Sequence, residues 1–502
     1  MTSAVRVRRV TRVVLVVIGA LLRLAFLSQP MRLDESANYL LLASQSFRTC
    51  VTSYPDANNH PLHTVLVHVA SLVLGNQPWC LRVPAFVAGV LLIPATAAAF
   101  EELFDAPTGL LAAALVVPSA PLVEYSTNAR GYTVQSLVFV WLVFVTARLV
   151  RAPTRRRWIG FAVLSVLGFY AIPTMLYFFG AMVAWVALSI ALDDGAGPSK
   201  RLALAKLAGA CGAVVAIVAL LYSPFILTSG LAALTSNRWV RALPWSDFWN
   251  GLGGTIVAYA ASWNRGLPVA GIVLLAVGFA ASFVAFRALS PFRVNPVVVT
   301  LGTCLATMTV QRVLPPERVF LPCIPLYLGS CAAGLRWMAA WIAARAKRWT
   351  ARLSRDAAGP LVASALTLVA ASVPGVLVLG DGAAYQSADQ VTFRDAETIA
   401  VALQGILREG DVVYVQRDAR FVLAYYFALH GVSPRYLYTP GDRRDPTGRV
   451  FTVDASRDYP AFTYRQALGD SDLRIGKEYE LAVLLDLPRA TLYRVLEPEG
   501  AH

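Results

Sequence analysis

Long apolar runs, separated by short linkers rich in arginine, leave this chain few folds to choose from. They occupy roughly 10–27, 61–75, 81–100, 109–123, 132–150, 158–172, 173–192, 203–228, 266–286, 294–311, 318–335 and 358–379. Most are long enough to cross a bilayer as helices. In lipid a backbone satisfies its own polar groups only as a helix or a closed barrel. With 57% hydrophobic residues over 502 positions, the sequence reads as an α-helical polytopic membrane protein, not a soluble enzyme with one anchor. The net charge of +14 falls in clusters between the apolar runs. It therefore reads as an orientation signal, and nucleic acid is not an expected partner. Arginine supplies nearly all of it, which with the alanine content points to a GC-rich bacterial genome. The first run lacks a small-residue cleavage pattern and is expected to stay as a span.

Parity of the basic linkers sets the threading. Arg6, Arg8, Arg9 and Arg12 mark a cytoplasmic N-terminus, and linker 148–157, with five arginines, belongs on the same side. Both hold only if 61–75, short for a span, lies in the interface or re-enters. Linkers 200–206, 287–293 and 336–355 then fall inside as well. The expectation is about eleven spans in the plasma (inner) membrane. A transmembrane domain over 1–380 would carry a long first outer loop near 28–80. An extracytoplasmic α/β domain over 381–502 would follow, with helices at 396–407 and 421–430 and strands at 411–415 and 435–438. That domain shows no glycine-rich phosphate loop, so its expected role is binding or covering. Cys50 and Cys80 share the outer loop, where a disulfide is chemically allowed.

Polar residues that the threading places outside suggest a chemistry. Asp34 and Glu35 follow the first span; an N-cap for the helical run 36–47 is the plain alternative for Asp34. A polar turn holds Tyr54, Asp56, Asn58, Asn59, His60 and His63. The next outer loop holds Glu124, Asn128 and Arg130, and a late one Gln311, Arg312, Glu317 and Arg318. Each alone is ordinary loop polarity; together they suit group transfer from a lipid-phosphate carrier. Arg130, Arg312 and Arg318 are candidates to grip the phosphate, since a planar guanidinium binds two oxygens at once. Asp34 is the candidate base for an acceptor hydroxyl. Glu35, Glu124 or Asp56 would orient the acceptor or help hold a divalent cation, Mg or Mn, against the phosphate charge. His60 and His63, spaced as neighbours on a helix face, could join Glu35 on that metal, or simply hydrogen-bond to loop carbonyls and water.

The order Leu33-Asp34-Glu35, Asn58-Asn59-His60-Pro61-Leu62, Trp79-Cys80-Leu81-Arg82-Val83-Pro84-Ala85 and Ala129-Arg130-Gly131-Tyr132 resembles the GT-C superfamily of integral-membrane glycosyltransferases. Within it, the resemblance is to the branch of protein O-mannosyltransferases and lipid A aminoarabinose transferases. It covers the first two hundred residues or so and reaches the rest only in general architecture. It implies a polyprenyl-phosphate sugar donor, inversion at the anomeric carbon, and Asp34 as catalytic base with Glu35 beside it. The donor's phosphate would meet Asn59, His60 and the arginines. Where relatives carry Lys-Pro-Pro, this chain reads Asn59-His60-Pro61, so that positive charge is missing unless His60 supplies it. A transporter or flippase of lipid-linked sugars, or a non-catalytic binder of them, is the alternative. The first would usually show internal repeats and polar residues at mid-membrane, and neither is evident. Trp239, Trp245, Trp249 and Trp263, read as an outer segment, suit an interfacial belt or stacking against sugar rings.

Overall fold

Alanine, leucine and valine runs free of central charge form the longest helices. The structure, a computed structural model, describes residues 3–55, 59–193, 197–235, 241–347, 392–438, 448–469 and 480–496. Asp56, Asn58, Trp239 and the run 358–379 lie outside the described residues. The helices in order are α1 (Ser3–Leu24), α2 (Leu33–Asn38), α3 (Phe47–Thr52), α4 (Pro61–Leu74), α5 (Pro78–Leu103), α6 (Ala106–Val116), α7 (Ala120–Ser126) and α8 (Tyr132–Arg151). There follow α9 (Arg155–Ala171), α10 (Met175–Ala191), α11 (Gly197–Ser229), α12 (Leu231–Thr235), α13 (Trp245–Trp263), α14 (Val269–Leu289), α15 (Pro296–Gln311) and α16 (Cys323–Lys347). Among the described residues α5, α8, α11 and α14 are long and apolar enough to cross a membrane. The pair α6–α7 adds a fifth if it is counted as one broken span. The other expected spans in the described regions are helices too, but shorter, as α10 and α15 are, or charged, as α1 is. The chain is a multi-pass membrane protein.

Contacts divide it into two units, each discontinuous in sequence. The helical unit comprises Met1–Leu27, Arg48–Val67 and Arg82–Ser387. Its core gathers Leu92, Phe100, Leu142, Phe178 and Trp185, all essentially without exposure. Small residues bring backbones together where lipid offers no hydrophobic drive. A Cβ on Gly334 would collide with the Gly278 carbonyl, and one on Gly278 would lie 2.9 Å from that of Cys331, so α14 and α16 pack backbone to backbone. By contrast, only 17% of the apolar stretch of α11 is buried, which leaves Val215 and Leu220 facing outward. Pro118 lacks the amide hydrogen needed to continue α6, and the helix bends by 69° before α7.

The second unit comprises Ser28–Phe47, His68–Leu81 and Ala388–His502. Here α17 (Ala396–Gln404), α18 (Ala419–Leu429) and α19 (Tyr464–Gly469) accompany a sheet of β1 (Val412–Tyr414), β2 (Val450–Asp454), β3 (Glu480–Asp486) and β4 (Thr491–Leu496). The strand order is β1-β2-β4-β3, with β1 and β2 parallel, the other pairs antiparallel, and a bulge between Val483 and Leu485. The expected helices at 396–407 and 421–430 and the strand at 411–415 are present with ends shifted by one to three residues. The strand expected at 435–438 is instead a 3₁₀ turn, Pro434–Tyr436, because proline opens it; only Leu437 bridges to Val413. Cys50 and Cys80 are both buried free thiols, and Cys80 donates to the Leu74 carbonyl (3.1 Å).

Candidate active site

In the helical unit, the break before α7 is held by Arg23, which is fully buried. One guanidinium nitrogen donates to the carbonyls of Gly19 (3.0 Å) and Val117 (3.3 Å), and Nε to the Ser126 hydroxyl (3.1 Å). The Val117 carbonyl is one that the interrupted helix cannot satisfy for itself. All of α7 is buried, including Glu124, which pairs with Arg265 just beyond α13. A short buried loop then carries Asn128, Arg130 and Gly131 into α8.

His60 closes against that loop. Its Nδ1 accepts the Gly131 amide (2.9 Å), its ring meets the edge of Tyr132 (4.8 Å between centroids), and its Nε2 lies 3.3 Å from Arg130 Nη2. A side chain on Gly131 would crowd the imidazole. With Nδ1 accepting, a neutral ring carries its hydrogen on Nε2. The approach to Arg130 is therefore N–H against N–H. Burial first, then Arg130, His63 and Arg318, push the His60 imidazole well below the ordinary histidine value of 6.5. His60 is thus neutral, and the cation at this place is Arg130, 3% exposed and 5.9 Å over the Tyr132 ring. Arg318 sits in the 3₁₀ turn Glu317–Phe320, close enough for its charge to act on the same imidazole.

The other residues singled out from this unit are placed as follows. Asn59 donates to the Ser53 carbonyl (3.0 Å) and accepts from Thr64 (2.8 Å), which pins the start of α4. His63 is buried in the first turn of α4. Arg312 ends α15 in the left-handed region (φ 52°), where its carbonyl accepts the Leu243 amide (2.8 Å) and its guanidinium lies 5.5 Å over Trp245. That tryptophan opens α13: the aromatic segment read as an outer loop is a helix of 19 residues.

In the second unit, Asp34 and Glu35 occupy the first turn of α2. The N-cap is Arg32, not Asp34. Buried Glu35 accepts the Arg32 amide (3.1 Å) and closes the helix start, while Asp34 is half-buried. The C-terminal part of the unit clamps this segment. The Met31 N–H donates to the Tyr426 hydroxyl oxygen (2.9 Å), Arg32 bridges to Thr392, and Tyr39 packs edge-on against Tyr425. After α2 the chain widens into a single π turn, Tyr39–Ala43, a distortion found often at functional sites.

These donors do not suit a divalent cation at His60, since both ring nitrogens face N–H groups. Among the described residues no three His, Cys, Asp or Glu side chains converge to hold one. Sequence reasoning missed Arg265 and Arg23, and it quoted Arg82 without giving it a role; buried Arg82 donates to the Leu27 carbonyl (2.9 Å). For Arg23 and Arg82 the signal was there: an arginine within or at the edge of an apolar run is costly unless it has work.

No family model matches the sequence, and no curated protein matches it. Among solved structures it is similar to ArnT from Cupriavidus metallidurans bound to undecaprenyl phosphate, at 12% identity and a TM-score of 0.59, over 96% of this chain and 97% of that one. The apo state of ArnT gives 14% identity and a TM-score of 0.56 over the same shares. These are GT-C glycosyltransferases, so the fold expected from the ordered motifs is the fold found, over nearly the whole chain.

Proposed function

We propose that this chain, folded as the GT-C enzymes are, is an inverting glycosyltransferase that moves a sugar from a polyprenyl phosphate to an extracytoplasmic glycan, lipid or protein. The carrying observation is the cationic cluster of the helical unit, with buried Arg130 and half-buried Arg318 about one neutral histidine. A guanidinium at membrane depth presents a planar fork that matches phosphate oxygens, and a solved structure of this fold binds undecaprenyl phosphate. Asp34 takes the proton from the acceptor hydroxyl as its oxygen attacks the anomeric carbon. The bond from that carbon to the phosphate oxygen breaks, and its electron pair leaves with the polyprenyl phosphate. A single displacement from the opposite face inverts the centre. Arg130 and Arg318 offset the charge that grows on the departing phosphate, an effect largest where water is excluded. Neutral His60 holds the loop that carries Arg130, and Glu124, fixed by Arg265, holds the helix before it.

The test is transfer from a panel of polyprenyl-phosphate sugars by purified protein in lipid, with Asp34→Asn beside the parent. Turnover should fall by about 10²–10⁴ while donor binding persists. Undiminished turnover in Asp34→Asn would remove the base from this scheme. Translocation of the donor, unaffected by the substitution, would establish the transporter instead.

A further inference from the structure

We propose that a cleft between the starts of α9 and α11 is a headgroup site for an anionic phospholipid. It has a volume of about 390 Å³ and is lined by Thr154, Arg155, Trp158, Ile159, Ala162 and Lys206. That is within the size range of small-ligand pockets. Three groups in it suit a phosphodiester. The Trp158 indole N–H is buried and has no acceptor among the described residues. The Arg155 and Lys206 side chains are exposed, and among the described residues no carboxylate pairs with either. Nearby acids are already engaged: Glu102 with Arg148 and Arg151, Glu101 with Arg12, and Asp105 with Arg336.

The rest of the cleft suits acyl chains. Ile159 leads along α9 to Val163 and Leu167, all exposed and apolar, and α11 offers Ile217 and Leu220 on the face that carries Lys206. A phosphate at the mouth, gripped by two cations and an indole N–H, would let its chains lie on faces that no element among the described residues covers. Free phosphate would leave those faces unused, so the occupant is a lipid. The cleft adjoins the basic linker 148–157 at the end of α8, whose 20 residues span about 30 Å from the Arg130 loop. It thus serves the leaflet away from the candidate active site, where basic pockets between helices favour anionic lipid.

The full chain is reconstituted in nanodiscs of phosphatidylglycerol and phosphatidylcholine in equal parts, released, and its retained lipids counted by native mass spectrometry. The parent should retain phosphatidylglycerol in preference. Arg155→Gln/Lys206→Gln should weaken that retention about ten- to thirtyfold, and Trp158→Phe, which removes the N–H donor and keeps an aromatic ring, should weaken it several-fold. Arg6→Gln/Arg9→Gln, which removes two cations elsewhere on the basic side, should leave it unchanged. Equal loss in that control would mean diffuse attraction and overturn the site. So would undiminished retention in the cleft variants, or inorganic phosphate that displaces the lipid at matched concentration.

Discussion

A histidine buried as His60 is cannot profitably hold a second proton, and the Arg130 guanidinium pressed against it adds to the penalty. Its folded value lies well below 6.5, whereas the unfolded chain titrates near 6.5. The stability this neutrality confers is full above about 6.5 and declines as pH falls through 6.5 toward the folded value, because only the unfolded state binds the proton. Thermal unfolding in detergent should therefore weaken between pH 7 and 5 more steeply in the parent than in His60→Asn, which keeps an acceptor for Gly131 without a titrating ring. Parallel curves would show that His60 contributes nothing to the acid limb. Residue types were legible beforehand, and partners were not. Glu124 stood out as an acid in an outer loop, but Arg265, its partner 141 residues away, leaves no local mark. Asn59 and Arg312 stood out as loop polarity, but their bonds to Ser53, Thr64 and Leu243 were not legible from sequence.

At the scale of elements, α2 is six residues long, too short to be stable on its own. Its shape is imposed by α18 through Tyr426 and by the bridge to Thr392. Tyr426→Phe should keep the fold and lower turnover about fivefold, the equivalent of one ordinary hydrogen bond, with donor affinity unchanged. Faster amide exchange over residues 31–36 would accompany it, and unchanged exchange would mean that the clamp lies elsewhere. Most helices were readable because an uninterrupted apolar run in a membrane chain has one outcome. α13 was not, since Gly251, Gly253 and Gly254 dilute its apolar pattern and its tryptophans suggested an interface. The bend at Pro118 was hidden inside what read as one apolar run, 109–123.

For the whole molecule, the fold class was plain from composition and charge, and the two-unit division was not. A boundary near 380 marks where apolar character ends, but compactness follows contacts in space. Segments 28–47 and 68–81, which read as stretches of one outer loop, belong with the C-terminal unit. Threading with a cytoplasmic N-terminus has a direct check. Glu409→Cys in the C-terminal unit should react with a membrane-impermeant maleimide on intact cells, and Arg156→Cys in the basic linker only after permeabilisation. The six native cysteines, five buried and one half-buried, keep the background low. The opposite labelling order would invert the threading.

The hydrogen bond from Met31 to Tyr426 joins positions 395 residues apart. During synthesis at about 5–20 residues per second, the acidic segment waits on the order of 20–80 s for the chain that will shape it. By then every membrane helix has left the ribosome. Asp34 acquires its setting last, so a chain cut short before α18 would insert in the bilayer with the acidic segment unshaped; under the proposed function, no half-made copy would be active.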